Sequence, residues 1–557
     1  MCVPRFFRLT FIWVVFCGAP ALWANPELQA ADVASDRPNH DRPNIIIILA
    51  DDLGFSDVGC YGSEIPTPNL DRLAADGLRF TQFYNAARCC PTRAALLTGL
   101  YPHQAGVGHM LEDWLPPHYS TGLLESCATI GELLQAGGYR TYHVGKWHVG
   151  GFGKQGPRNR PNERGFDRAY GTAGGGNHYK PQPLYLDREN LTPDEAFYST
   201  DAFTEYAVRF LEEHPREHAA QPFFLHLCYT APHFPLQAKL NDVIKHLGRY
   251  RDGWDALRER RYTRQKQLGI VSPNWLLSPR DPVAAAWSEL SHDERDEWDL
   301  RMAVYAGMID CLDQGIGRVL DAVRAMGAEH NTVVMFLSDN GASAEFLDSW
   351  PNPARGHEPG SLAGTRESHR CLEIGWANAA NTPFREHKMW VHEGGISTPL
   401  IVRWPRQIRV GGGLTRQVGH VIDLMPTCLE LAQLEYPAVF HDRELTPLPG
   451  RSLMPVFQGA SLGPRVLAWE HDGNRAIRSG DWKLVSRYDG DWELYDLHAD
   501  RTELHNLASQ YAGSVELLAA QWQAWADQVG VAPLSALPKS TYKPDAKYRR
   551  KSEPPAR

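Results

Sequence analysis

The 557-residue chain contains no Cys-x-x-Cys pair, no His-Glu-x-x-His segment and no long run of lysine and arginine. The first absence argues against a structural zinc site and the second against a helix-borne zinc hydrolase. The third argues against a nucleic-acid surface. After the first 24 residues, no apolar stretch approaches the ~20 residues a membrane span needs. Glycine (48) and proline (40) stay well below the roughly 25–30 % that marks low-complexity chains. With 57 basic and 66 acidic residues, the formal charge is −9. Any positive charge that binds an anionic substrate must therefore be local to a site. What is present is ordinary globular composition, 43 % apolar and 22 % charged, in a length that suggests about two to four domains.

The N-terminus reads as an address. Arg5 and Arg8 precede an apolar run from Leu9 to Phe16, and Ala19-Pro20-Ala21 and Leu22-Trp23-Ala24 supply small residues for cleavage. This pattern predicts a secretory signal peptide over 1–24 and a periplasmic or secreted product with no membrane attachment after cleavage. Of ten cysteines, eight remain after that cleavage, too few for a disulfide scaffold in a chain of this length.

Beyond a polar linker, Asn44-Ile45-Ile46-Ile47-Ile48-Leu49-Ala50 is a continuous β-branched run that ends on Asp51-Asp52. Such a run predicts a strand buried on both faces, as in parallel sheets. Thr332 to Leu337 ends similarly in Ser338-Asp339-Asn340, Pro222 to Leu227 leads to Pro232-His233, and Tyr139 to Val144 leads to Lys146-Trp147-His148. Helical signals alternate with these strands. Thr129-Ile130-Gly131-Glu132 has capping-box spacing, and apolar residues from Trp298 to Val323 recur at helical spacing. The alternation predicts an α/β fold with a mostly parallel sheet over 42–449, with ligands beyond the carboxyl ends of the strands. A smaller region over 450–535 predicts a short antiparallel sheet followed by a helix over Val515–Val529, and a Pro/Lys/Arg-rich tail over 536–557 is expected to be disordered.

Asp51, Asp52, Asp339 and Asn340 offer only oxygen ligands, which suit Ca²⁺ or Mg²⁺ rather than zinc. Cys89-Cys90-Pro91-Thr92-Arg93 opens a helical segment that continues to Leu96-Leu97-Thr98-Gly99. Pro91 suits a first helical turn, which puts Cys89 where backbone N–H groups favour an anion.

That segment resembles the type I sulfatase signature C-x-P-S/T-R followed by x-x-L-L-T-G, with Thr92 in place of the commoner serine. Gly145-Lys146-Trp147-His148 is similar to the family's G-K-W-H element, and Lys388 with Glu393-Gly394-Gly395 to its K-x-x-x-x-E-G-G element. Ala50-Asp51-Asp52 and Ser338-Asp339-Asn340 are similar to its two metal segments, so that the resemblance runs from Arg42 to Val529. It implies the alkaline-phosphatase-like fold, in which helices sandwich the sheet, and hydrolysis of aryl or carbohydrate sulfate esters. It also implies that a formylglycine-generating enzyme oxidises Cys89 to formylglycine while Cys90 stays a thiol. Ca²⁺ is then held by Asp51, Asp52, Asp339, Asn340 and the modified Cys89. Arg93 and Lys146 orient the hydrate, His148 acts as base, His233 as acid, and Lys146, His233 and Lys388 meet the substrate.

Weaker features complete the reading. Gly174 to Tyr179 is expected to be a surface loop, His103 and His109 to pack or cap, and Tyr250 to Gln267 to be a solvated helical face. Trp469-Glu470-His471 and Asn474-Arg475 are placed within reach of the pocket rim. Two alternatives stay open. One is a phosphodiesterase or phosphonate monoester hydrolase of the same superfamily. The other is a non-catalytic binder of sulfated glycans, if Cys89 is never oxidised.

Overall fold

The computed structural model describes residues 42–152, 159–346, 353, 356–408, 411–488 and 490–536. The expected signal peptide and all but the first residue of the expected tail lie outside the described residues. Among the described residues, eleven strands form the main sheet. They are β1 (Asn44–Ala50), β2 (Leu78–Tyr84), β3 (Arg140–Lys146), β4 (Arg168–Thr172), β5 (Leu184–Leu186), β6 (Glu189–Leu191), β7 (Phe223–Cys228), β8 (Thr332–Ser338), β9 (Ser397–Arg403), β10 (Gly413–Thr415) and β11 (Gly419–His420). β1 lies between β7 and β8, parallel to both, and the parallel order continues through β3 to β4. β9 runs antiparallel between β8 and β2, and β5 and β6 close the far edge antiparallel. Because β9 reverses between them, β2 and β8 point the same way. The chain therefore leaves β1, β2, β3, β7 and β8 at one common edge.

The continuous isoleucine run of β1 has two destinations. Ile46, Ile48 and Ala50 enter one core, and Ile45, Ile47 and Leu49 enter the core on the opposite face of the sheet. Each buried aliphatic side chain contributes about 1.5–3 kcal/mol, which explains why the run does not alternate with polar residues. The first core is roofed by the long helix His292–Ala325, capped by Ser291 in a capping box with Glu294. Trp298, Met302, Tyr305, Ile309, Leu312, Ile316, Val319 and Val323 are all buried, as their spacing predicts. The expected Thr129 capping box starts helix Ile130–Ala136.

The C-terminal sheet joins Val466–His471, Asn474–Ser479, Trp482–Ser486 and Glu493–Asp496 in antiparallel order. One face (Ala468, Ile477, Leu484, Leu494) packs on Leu518, Trp522 and Ala526 of helix Ala512–Val529. The other face sends Leu467, Trp469, Ala476 and Val485 into the second main core. Among the described residues, no helix is long and apolar enough to cross a membrane, and the eight described cysteines are buried and form no disulfide with one another.

Helix Gly253–Gln267 corrects the expectation of a solvated face, because Arg258, Arg261 and Gln265 join Trp254 and Leu257 on a buried side. Arg261 reaches Asp57 at 2.6 Å and Glu64 at 2.8 Å, while Arg258 donates to the Ser278 carbonyl at 2.7 Å. Charge density along the sequence does not distinguish arginines with buried acceptors from solvated ones. We expect Arg261→Ala to lower stability by about 3–5 kcal/mol, because it leaves the Asp57 carboxyl buried and unpaired. Urea unfolding monitored by fluorescence checks this, and an unchanged midpoint would contradict it.

Candidate active site

Strand register assembles the site. Ala50 of β1 pairs with Ser338 of β8, so the residues that follow, Asp51-Asp52 and Asp339-Asn340, emerge side by side. The Asp52 amide donates to Asp339 Oδ1 at 3.3 Å, and the Leu53 amide to Ser338 Oγ at 3.1 Å. Asp52 and His148 both adopt left-handed backbone, at φ +64° and +55°. Such conformations cost about 1–3 kcal/mol each and persist where the surroundings impose them.

β3 ends at Lys146, whose Nζ donates to Asp51 Oδ2 at 2.7 Å and Oδ1 at 3.0 Å. After β2, helix Cys89–Thr98 begins with Pro91 in its first turn, and Thr92 Oγ1 accepts from the Ala86 amide at 2.9 Å. This directs Arg93 inward, where it meets Asp339 Oδ2 through Nη2 at 2.7 Å and Nε at 2.9 Å. Its Nη2 also lies 3.7 Å from Asp51 Oδ1, and its Nη1 donates to the Lys146 carbonyl at 2.8 Å. Lys388 Nζ donates to Asp52 Oδ2 at 2.9 Å. His233, beyond β7, donates from Nδ1 to the Phe234 carbonyl at 2.5 Å and turns Nε2 to 3.6 Å from Asp52 Oδ2. Cys89, Cys90 and His148 place their polar atoms within 4.8 Å of one another. The structure thus gathers all ten predicted site residues at the carboxyl edge of the sheet.

The electrostatics follow from burial with mutual compensation. Asp51, Arg93, Lys146, Asp339 and Asn340 have no exposed surface. The hydrogen bond from Cys90 draws the Cys89 thiol well below its ordinary range, against burial and with help from Lys146 and His148. Burial would raise Asp51, but Lys146, His233 and Arg93 outweigh it and hold the carboxyl low. Burial and the nearby charge of Asp51 push Asp339 upward, beyond what Arg93 and Lys146 offset. Burial, then Lys146, keeps His148 neutral by lowering its ring.

A cation fits this set. Asn340 Nδ2 donates to Asp52 Oδ1 at 2.7 Å and to the Gly341 carbonyl, which leaves Asn340 Oδ1 buried without a hydrogen-bond partner. Hard oxygen donors with an orphaned amide oxygen suit a divalent ion such as Ca²⁺ or Mg²⁺.

Several secondary expectations change. The Gly174–Tyr179 segment is a wall of the site rather than a surface loop. A Cβ built on Gly174 would lie 3.3 Å from the His148 ring, a tight contact, and one on Gly175 would lie 2.9 Å from the His233 ring, which would have to shift to admit it. His178 Nε2 donates to the His233 carbonyl at 2.8 Å. His103 and His109 are buried as expected, and they pair with Glu470 at 2.9 Å and Asp472 at 2.5 Å. The turn at His471-Asp472 reaches the rim through Arg88. Asn474 and Arg475 do not: Asn474 donates to the His471 carbonyl, and Arg475 lies over Trp492. Sequence reasoning missed Arg88, Glu345 and Asp472, which belong to no charged motif. Only the position of Arg88, immediately before Cys89, hinted at a role.

Comparison with known proteins agrees with this geometry. The family model described as Sulfatase matches residues 43–434, and one described as N-sulphoglucosamine sulphohydrolase, C-terminal, matches residues 385–524. An uncharacterized sulfatase of Schizosaccharomyces pombe is 36 % identical, covering 88 % of this chain and 94 % of that relative. An arylsulfatase of Klebsiella aerogenes is 31 % identical over 75 % of this chain and 92 % of its own length. An N-acetylgalactosamine-6-sulfatase of Rattus norvegicus is 30 % identical over 81 % of this chain and 73 % of its own length. Among solved structures, Ps i-CgsB in complex with k-i-k-neocarrahexaose superimposes with a TM-score of 0.63 at 27 % identity, covering 87 % of this chain and 93 % of that one. With the strand-end carboxylates, the Cys89 helix and these relatives together, the chain belongs to the sulfatase family, as a type I sulfatase of the alkaline-phosphatase-like superfamily that hydrolyses sulfuric esters.

Proposed function

We propose that this sulfatase works with formylglycine at position 89 and with Ca²⁺ held by Asp51, Asp52, Asp339, Asn340 and residue 89. We further propose that the protein is exported to the periplasm or medium after loss of residues 1–24. The observation that carries the catalytic reading is Cys89 at a helix start, beside His148 and Lys146 and facing the buried oxygen set. Once a formylglycine-generating enzyme has acted, residue 89 would supply an aldehyde hydrate as nucleophile while the cation supplies Lewis-acid polarisation of the sulfate oxygens.

The chain's own residues do the rest. Arg93 and Lys146 fix the Asp339 and Asp51 carboxylates and keep the pocket from repelling an anion. Lys388 meets charge that develops on the equatorial sulfate oxygens. His233, oriented through its Nδ1–H, delivers a proton from Nε2 to the departing alcohol oxygen. His148, neutral through burial, accepts a proton from the residue-89 hydroxyl when the alcohol has left. The arylsulfatase and N-acetylgalactosamine-6-sulfatase relatives support both aryl and carbohydrate sulfates as the ester class.

Peptide mass spectrometry of active protein should show the thiol lost at Cys89 and retained at Cys90. An intact Cys89 thiol in fully active enzyme would contradict the nucleophile. For the acid, we expect His233→Ala to slow a sugar sulfate by roughly 10²–10⁴-fold and 4-nitrophenyl sulfate by less, because a phenol leaves readily without protonation. Lys388→Ala should harm both substrates alike. Equal losses in kcat/KM for His233→Ala on the two esters would assign the acid elsewhere.

A further inference from the structure

With His233 read as the acid, on which this rests, we infer that His178 is its positioning residue: it fixes the turn that carries His233, so that Nε2 faces the departing oxygen.

The turn follows β7. The Asp51 amide donates to the Ala231 carbonyl at 3.1 Å, and the His233 amide closes the turn onto the Thr230 carbonyl at 2.9 Å. Neither bond holds the peptide that joins His233 to Phe234. His178 supplies that grip. Its Nε2 donates to the His233 carbonyl at 2.8 Å, and its Nδ1 accepts from the Thr230 hydroxyl at 3.3 Å. One imidazole therefore spans both ends of the turn, Thr230 and His233.

His178 is built as a fixed scaffold. It is 1 % exposed, and burial lowers its ring to about 4, so it stays neutral and carries one proton. A carbonyl can only accept, which assigns that proton to Nε2 and leaves Nδ1 as the acceptor. The main chain of His178 is tied down independently. Its amide donates to Gln237 Oε1 at 2.8 Å, and its carbonyl accepts from the Ser199 amide at 2.8 Å and the Ser199 hydroxyl at 2.9 Å. Ser199 opens helix Ser199–Glu217, so the turn is referenced to a long element of the scaffold.

The same segment confines the His233 ring. Gly175 lies three residues before His178, and a Cβ there would meet the ring atoms of His233 at 2.9–3.3 Å. The ring is thus bounded by Gly175, by its own bond to the Phe234 carbonyl and by the grip of His178 on its main chain. A residue as enclosed as His178 does not touch the substrate, so its effect passes through His233. Misplacing a catalytic group by about 1 Å can cost ~10²-fold in rate.

The test measures kcat and KM of the full-length, matured enzyme on phenyl sulfate and 4-nitrophenyl sulfate, which share a ring and differ in how readily the oxygen departs. His178→Phe keeps a ring without polar atoms, and His178→Gln keeps an N–H that reaches the carbonyl. We expect His178→Phe to lower kcat on phenyl sulfate by roughly 10–100-fold, to lower it less on 4-nitrophenyl sulfate, and to change KM by less than ~3-fold. His178→Gln should restore most of that loss. With His233→Ala already in place, His178→Phe should cost less than ~3-fold more, because the residue it acts through is gone. If His178→Phe folds poorly by thermal melting, His178→Asn replaces it, since its amide ends where Nδ1 does, short of the His233 carbonyl. Equal losses on the two esters, a loss that persists in full without His233, or unchanged kcat in the variant that lacks the grip would overturn the positioning. Equal losses on the two esters for His233→Ala alone would withdraw the acid itself, and this role of His178 with it.

Discussion

The parallel pairing of β1 with β8 is the constraint on which the rest depends. It delivers three carboxylates and an amide to one fully buried point. Like charges at such a point are costly unless each has a partner. The structure supplies Arg93 for Asp339, Lys146 for Asp51 and Lys388 for Asp52, each at 2.7–2.9 Å. The three cations arrive from separate elements: a helix after β2, the end of β3 and the loop before β9. The sheet order therefore serves to bring complementary charges to one edge. Replacing such pairs with apolar residues is often neutral or stabilising in other proteins, so their retention here points to binding rather than stability.

The same short segment that supplies Lys388 also fastens the C-terminal sheet. Glu393 receives Lys483 and Arg501 at 2.9 and 2.8 Å and the Tyr84 hydroxyl at 3.0 Å, all buried. Burial alone would raise this carboxyl, yet Lys483, Arg501 and Arg478 hold it down at about 2. Gly394 and Gly395 follow because a Cβ there would lie 2.2 and 1.9 Å from the carbonyl oxygens of Arg385 and Trp390. The Glu-Gly-Gly element is thus an anchor. It couples the position of the pocket lysine to the docking of the sheet whose hairpin presents Asp472 at the rim.

Much of this was legible in the residues. The unalternating isoleucines, the aspartates at strand ends and the cysteine before Pro91 each had a local physical reason, and the structure places them accordingly. The four C-terminal strands were visible from their alternation. What escaped were features set by distant partners. Arg261 reads as one more charge on a basic helix until Asp57 and Glu64 are folded against it. Gly174 and Gly175 read as a loop until the His148 and His233 rings press on them. Glu345 and Asp472 carry no motif, and only the tertiary fold sets them beside Arg88.

The central claim is that the buried oxygen set is a calcium site on which turnover depends. Elemental analysis of the matured protein, read beside aryl sulfate turnover during chelation and Ca²⁺ readdition, tests it most directly. The account predicts one calcium per chain, activity that falls with its removal and returns with its restoration, and weakened retention in Asp52→Ala, because an anionic ligand is lost. Full turnover by protein with no bound divalent metal would contradict it.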